Sequence, residues 1–499
     1  MYGAIPLADV QHEDAGLSHV LRGPGPYLVA AFGRPFSAAS ARILDALTAA
    51  ETSCGINSSA PIYLKGGHAP ARVLRQGLAA ELSRRDRPVD SDVEWSTLLR
   101  VAASVPALAV VLHDAHLIAE ADRRFVRDLA QAWRSTLSEG GVPRWVLVSD
   151  DRRFLADVFG TDSPFHDPLA ALTDRGAETA QAAELGALTY ESLARACPEW
   201  SAQDVIRGYA IFGGLPEVLG MLQGKRSLAS NVSRVLLGPS GPLLDALPAA
   251  ISARFQKTAR YGALLSALAS GAETWQEVAG AEPEFGSGSA LGAYMKRLQE
   301  RGLVDVHDSL DAPAGARRKR YSLSDPFHAF WFRFVAPLAD RIGAGQMQPM
   351  DAWNRHIAPG LDPYVSSQLP RMARQYLERR GADRLGSGAR VVGGLWGAGY
   401  DFDPAATLND GSVVYAHCTW QASRVGEEAL LRARAEVRET RYGFGRERRA
   451  IMLFMKQPPT PDLEHMTLRD PNVEWIDAER LVAGARESPH LARSSESAR

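Results

Sequence analysis

The stretch Tyr27-Leu-Val-Ala-Ala-Phe32 constrains the fold most: six apolar residues in succession, stopped by Gly33. A strand that is apolar on both faces has to be buried on both faces, as happens inside a sheet covered by helices on each side. Leu108–Leu112 and Trp145–Ser149 repeat the signature, with helix-like segments near 40–50 and 120–133 between the three. Short apolar runs alternating with helices predict βαβ units and a mainly parallel sheet.

Beyond that the pattern changes. From about Glu178 it is helical, broken at Gly213-Gly214-Leu215-Pro216, and a Gly/Pro cluster at 238–242 marks the next boundary. Residues 258–323 read as three helices and then a hairpin, the order of a winged helix, with Gly302 as a helix C-cap. The aromatic segment Ser324–Pro337 opens another helix, and from about Leu361 strands and helices alternate again. The expected domains are 1–175 (α/β), 176–250 (helical lid), 251–340 (winged helix), 341–485 (a second α/β domain) and 486–499, a disordered tail.

Composition removes whole classes of function. The chain has 499 residues, enough for several domains, and no apolar run reaches the roughly 18 residues that a membrane helix needs. Three cysteines, Cys54, Cys197 and Cys418, lie too far apart for a disulfide framework or a Cys-rich zinc site. With no secretory pattern at the start, the expected setting is the cytoplasm. Fifty-six basic against 58 acidic residues leave a net charge of −2, so any nucleic-acid contact must come from a local patch.

Gly33-Arg34-Pro-Phe-Ser-Ala38-Ala39-Ser40 has the spacing of a P-loop, whose amides cradle phosphate, whose lysine faces the terminal phosphates and whose Ser/Thr meets magnesium. Ala38 replaces the second glycine and Ala39 replaces the lysine; Ser40 remains. The strand Leu108–Leu112 leads through His113 to Asp114, which suits a magnesium ligand, but Ala115 stands where a water-activating Glu belongs. His116 could be proposed as that base instead; a surface or N-cap-region histidine is the blander reading. Ser149, closing the third strand, takes the place of a polar sensor of the γ-phosphate.

Tyr209-Ala-Ile-Phe-Gly213-Gly214-Leu215-Pro216 together with Asp325-Pro326-Phe327-His-Ala-Phe-Trp331-Phe-Arg-Phe resembles the archaeal-type AAA+ ATPases, relatives of the STAND NTPases. The resemblance spans about residues 20–480. It implies a P-loop domain with a helical lid, a winged helix and a C-terminal domain resembling PD-(D/E)XK nucleases. Such a nuclease site uses an acid on its first helix, an Asp before the second strand and E-x-K on the third, to hold Mg²⁺ and position water. The resemblance places Asp401 and Asp403 at the Asp position, His417-Cys418-Thr419-Trp420 at E-x-K and Leu369-Pro370 at the helical acid. The Glu and the Lys are both missing.

The third helix of the winged-helix pattern, Ser289–Arg301, turns Leu291 and Leu298 inward and leaves Lys296, Arg297 and Arg301 outside. The wing carries Arg317-Arg318-Lys319-Arg320, suited to phosphate contacts without base reading. These residues predict a pseudoenzyme that is regulatory, scaffolding or DNA-associated, with no catalytic residue and no metal site. Mg-ATP or ADP is expected to bind weakly at most, at Gly33, Arg34, Ala38, Ala39, Ser40, Asp114 and Ser149. A protein and, through the winged helix, DNA are the expected partners, and no membrane. The alternative is an active ATPase that borrows a cation, with Arg34 the nearest.

Overall fold

A computed structural model of the chain describes residues 17, 20–21, 25–54, 60–67, 70–90, 92–160, 162–165, 180–281, 288–313 and 318–486. Two compact units emerge: Pro6–Gly186 with Lys296–Leu303, and Ala187–Met295 with Val304–Arg499. Among the described residues no helix is long and apolar enough to cross a membrane.

In the first unit, strands β1 (Tyr27–Phe32), β2 (Ile62–Lys65), β3 (Val110–His113), β4 (Arg144–Ser149) and β5 (Ala180–Glu184) form one sheet in the order β2-β3-β4-β1-β5. Every pairing in it is parallel. The strand period of two assigns alternate residues to opposite faces. Leu28 and Ala30 join Ile62, Leu112 and Leu147 in one core; Tyr27, Val29 and Ala31 join Val111, Val146 and Val148 in the other. Helices α1 (Ala39–Cys54) and α2 (Phe125–Ser138) cover opposite faces, with Ile43 and Leu47 on one and Leu129 and Trp133 on the other. Trp133 meets Trp145 edge to face with ring centroids 5.4 Å apart. The parallel sheet covered by helices on both faces is what the three apolar runs predict, and the whole is a P-loop NTPase-like α/β arrangement.

The second unit begins with helices, among them α3 (Ala202–Phe212). Three further helices, α4 (Thr258–Ala269), α5 (Trp275–Ala281) and α6 (Gly288–Glu300), precede an antiparallel hairpin of β6 (Val304–Asp308) and β7 (Lys319–Leu323); α6 crosses the boundary between the units. A 28-residue helix, α7 (Ala358–Leu385), then leads into a mixed sheet. Its strands are β8 (Ala389–Gly397), β9 (Tyr400–Leu408), β10 (Val413–Thr419), β11 (Arg449–Met455) and β12 (Val473–Ile476), in the order β12-β11-β10-β9-β8. The pairs β8–β9 and β9–β10 are antiparallel, whereas β10–β11 and β11–β12 are parallel. Helix α8 (Glu427–Glu439) makes the first parallel crossover.

The two motifs that carry the family resemblance meet in this unit. The Asp325 side chain, 1 % exposed, caps the short helix Pro326–Phe330 by accepting the Phe327 amide at 2.8 Å, and accepts the Gly214 amide at 3.3 Å. Gly213 has φ +63°, and a Cβ there would lie 1.9 Å from the Asp325 carboxylate. Both the backbone angle and the close approach therefore demand glycine. Tyr364 of α7 adds a second tie, donating to the Ala210 and Pro326 carbonyls at 3.0 and 2.9 Å. Asp325→Ala removes a cap and leaves the Gly214 amide buried without this acceptor. We expect it to lower the unfolding free energy of this unit by about 2–4 kcal/mol, read by urea denaturation.

Candidate functional site

All five strands of the first unit run the same way, so their carboxyl ends share one edge, the usual ligand edge of an open α/β sheet. β1 ends there just before Gly33, β3 just before Asp114, β4 at Ser149 and β5 at Glu184. Gly33 closes onto β4 through its amide, which donates to the Ser149 carbonyl at 2.9 Å. The next four residues form a turn, with the Ser37 amide donating to the Arg34 carbonyl at 3.0 Å and Pro35 at its second position. Phe36 takes φ +65° and Ala38 takes φ +53°. Ala38 thus adopts the left-handed conformation that the missing glycine would supply, at a cost of about 1–2 kcal/mol. Ala39 opens helix α1. The Ser40 side chain lies outside the described residues.

Four arginines at this edge are engaged by the protein itself. Arg34 and Arg152 share Oε1 of Glu184, at 3.0 and 2.8 Å, and the Arg152 guanidinium lies 4.6 Å over the Phe32 ring. Arg42, 4 % exposed, donates to the Gly186 carbonyl at 2.8 Å. Arg301 is also 4 % exposed, with Nη1 at 2.7 Å from Asp150 and Nη2 at 3.3 Å from Asp151. Its expected place on the outer face of the third helix is therefore corrected. α6 ends at Glu300, Gly302 turns the chain at φ +65°, and helical periodicity no longer sets the direction of Arg301.

His116 is corrected as well: it is 5 % exposed, with Nδ1 at 3.1 Å from Ser149 Oγ and Nε2 at 3.1 Å from Arg301 Nη1. Arg301 can only donate, so the network is satisfied by a neutral imidazole that accepts at Nε2 and donates from Nδ1–H to Ser149. Burial, aided by Arg301, holds the His116 pKa below the ordinary 6.5 against the pull of Asp150, Asp114 and Asp151. Ser149, His116 and Asp150 are the residue types of a hydrolytic triad. Here, however, Ser149 is 1 % exposed and its hydroxyl accepts the Asp151 amide at 2.9 Å, so it faces no substrate.

Asp114 takes φ +51° at the start of the helix Ala115–Ala121, and its carboxylate lies 3.3 Å from His113 Nδ1. Burial pushes its pKa up, but His113 and the charges of His116 and Lys65 outweigh that and hold it below the ordinary 3.8. Ala115 is fully buried and offers no base.

The residues expected to contact DNA divide. Lys296 and Arg318 are exposed and Arg297 is half-buried, whereas Arg317 lies outside the described residues. Lys319 and Arg320 are in strand β7, and each has a carboxylate: Lys319 meets Asp308 at 3.3 Å, and Arg320 grips Asp401 with two bonds of 2.9 and 2.8 Å. Arg320 also stacks on Trp396, 4.6 Å from the ring centroid. The run of four wing cations is thus broken up by these pairings.

In the mixed sheet, both oxygens of Asp403 are held by Arg374 of α7, at 2.6 and 2.7 Å. His417 faces Glu436 at 3.3 Å. Sequence reading at Leu369-Pro370 missed Asp362, two turns earlier on the same helix; it binds Lys456 at 2.6 Å, Arg207 at 3.0 Å and the Trp420 indole at 3.1 Å. Lys456 directly follows β11, where Met455 pairs with Thr419, so a lysine does stand beside the end of β10, one strand over. A pairing across 94 residues leaves no local signal. Among the described residues no group of three or more His, Cys, Asp or Glu could hold a metal ion.

No protein-family profile and no curated protein sequence matches the chain. Solved structures are similar at a distance. A Walker-type ATPase of Pyrococcus abyssi is 12 % identical with a TM-score of 0.46, over 64 % of this chain and 95 % of its own. The ORC2 protein of Aeropyrum pernix in ADPNP–ADP complexes is 13 % identical with a TM-score of 0.37, over 68 % and 93 %. The ORC1 protein of the same organism, in complex with DNA, is 12 % identical with a TM-score of 0.33, over 68 % and 94 %.

The depressed pKa of His116 makes stability depend on pH. Unfolding frees His116 to take up a proton near pH 6.5, which the folded network resists, so stability falls as pH drops below about 6.5. Urea denaturation at pH 7.5 and 5.5 should show this loss, and His116→Asn should reduce it, while His307 and His417, whose pKa values burial also holds below 6.5, keep their own contributions.

Proposed function

We propose that this is a P-loop NTPase-like protein that does not hydrolyse ATP and acts as a regulatory, scaffolding or DNA-associated component. The observation that carries the reading is the state of the sheet's carboxyl edge. Ala39 occupies the lysine position, and Arg34, Arg42, Arg152 and Arg301 are each engaged by a carboxylate or carbonyl of the protein. A phosphate arriving there would have to displace those partners, and Ala115 gives water no base. The segmentation 1–175, 176–250, 251–340 and 341–485 belongs to the same reading, with a winged helix third and an inactive nuclease-like domain fourth. Asp403, clamped by Arg374, supports that last assignment.

One observation favours the alternative, an ATPase with a borrowed cation. The loop keeps the strained φ of Ala38 where a relaxed turn would be cheaper, and strain of this kind gathers at functional sites. Arg34 would then have to leave Glu184. The test is steady-state ATP hydrolysis by the intact chain and by Asp114→Ala and Arg34→Ala. We expect turnover at the background rate for all three. Turnover by the intact chain that either substitution abolishes would establish the enzyme instead.

A further inference from the structure

The loop between α8 and β11 carries the sequence Arg441-Tyr442-Gly443-Phe444-Gly445-Arg446. Phe444 is 81 % exposed, more than any other large apolar side chain among the described residues. Its flanking glycines have φ +74° and +76°, and a Cβ on Gly443 would lie 2.8 Å from the Tyr415 hydroxyl. The loop is therefore folded tightly against β10 and presents Phe444 outward. An apolar ring held this way offers a flat face on which a planar ligand can stack.

The ring stands at one end of a groove. A cavity of about 680 Å³ is lined by Tyr400, Tyr442, Phe444, Arg441 and Arg446. A second, of about 500 Å³, is lined by Trp396, Arg318 and Arg320, and shares Asp311, Ala398 and Tyr400 with the first. The rings are fixed: the Tyr400 hydroxyl donates to Asp311 at 2.6 Å, and the Tyr442 hydroxyl lies 2.5 Å from Thr407 Oγ1. Arg318, Arg441 and Arg446 have no carboxylate partner among the described residues, whereas Asp401 is held by Arg320 and Asp311 by Tyr400 and Ser309. Glu439 is the one lining carboxylate here with no such partner.

Aromatic rings aligned with unneutralised guanidinium groups suit a chain of bases joined by phosphates, because every base offers a face to stack and every link a negative charge. A duplex hides its base faces. We infer that this groove binds single-stranded nucleic acid, with Phe444, Tyr442 and Tyr400 against bases and Arg441, Arg446 and Arg318 on phosphates. It does not require the nucleotide reading of the first unit, and of the expected winged-helix contacts it uses only Arg318.

The test is fluorescence anisotropy of labelled 20-mers of deoxythymidine and uridine, and of a 20-base-pair duplex, at 50 and 200 mM salt. The groove predicts binding of the single strands at 50 mM salt and about tenfold weaker binding by Phe444→Ala. Replacing Arg441 and Arg446 by alanine should flatten the dependence of log affinity on log salt by about 1.4, for two phosphate contacts. Phe444 is exposed, so an unchanged thermal transition will show that its removal leaves the fold intact. No single-strand binding at 50 mM salt, or binding indifferent to these substitutions, would overturn the proposal. So would a loss confined to the duplex, which would assign nucleic-acid contact to Lys296 and Arg297 instead. The two single strands separate an RNA from a DNA ligand.

Discussion

Parallel pairing in the first sheet is the constraint from which the rest of the first unit follows. It collects the ends of β1, β3, β4 and β5 at one edge, and those ends carry Arg34, Asp114, Ser149, Asp150 and Glu184. Polar groups brought together under buried strands need partners. In a nucleotide-binding protein, phosphate and magnesium can provide them. Here Arg301 balances Asp150 and Asp151, Glu184 balances Arg34 and Arg152, and a neutral His116 joins Ser149 to Arg301.

The mixed sheet of the second unit reaches a similar end by similar means. Carboxylates that could have held a cation hold arginine or lysine: Asp403 with Arg374, Asp401 with Arg320, Asp362 with Lys456 and Arg207. Guanidinium matches a carboxylate in two bonds at once and cannot lose its charge, so it closes such a site without a metal. In both units carboxylates at or beside the strand ends are paired with arginine or lysine of the same unit.

Much of the fold was legible because burial on both faces writes an unbroken apolar run. β1, β3 and β4 announced themselves this way. β2 did not: it is four residues long and alternates buried with exposed at the sheet's edge. β9 contains two aspartates and Pro404 in Asp401-Phe-Asp-Pro-Ala-Ala-Thr-Leu408, which reads as a turn. At the site, Ala39 and Ala115, at the spacing where a P-loop protein would carry Lys and Glu, were visible as single letters. The replacements were not, since Arg301 lies 151 residues from Asp150 and Arg320 lies 81 from Asp401. The wheel also misdirected Arg301, because helical periodicity ends with the helix, one residue before it.

The central claim is that the arginines at the sheet's carboxyl edge are already engaged by the protein's own groups. Thermal unfolding with and without 1 mM Mg-ATP tests it most directly. A ligand bound only to the folded state stabilises it by RT ln(1 + [L]/Kd), which is about 0.4 kcal/mol for a Kd of about 1 mM and about 2.7 kcal/mol for about 10 μM. The account predicts a shift no larger than the first figure. A shift of the second size that disappears in Asp114→Ala would mean that phosphate and magnesium displace these pairs readily, and would contradict it.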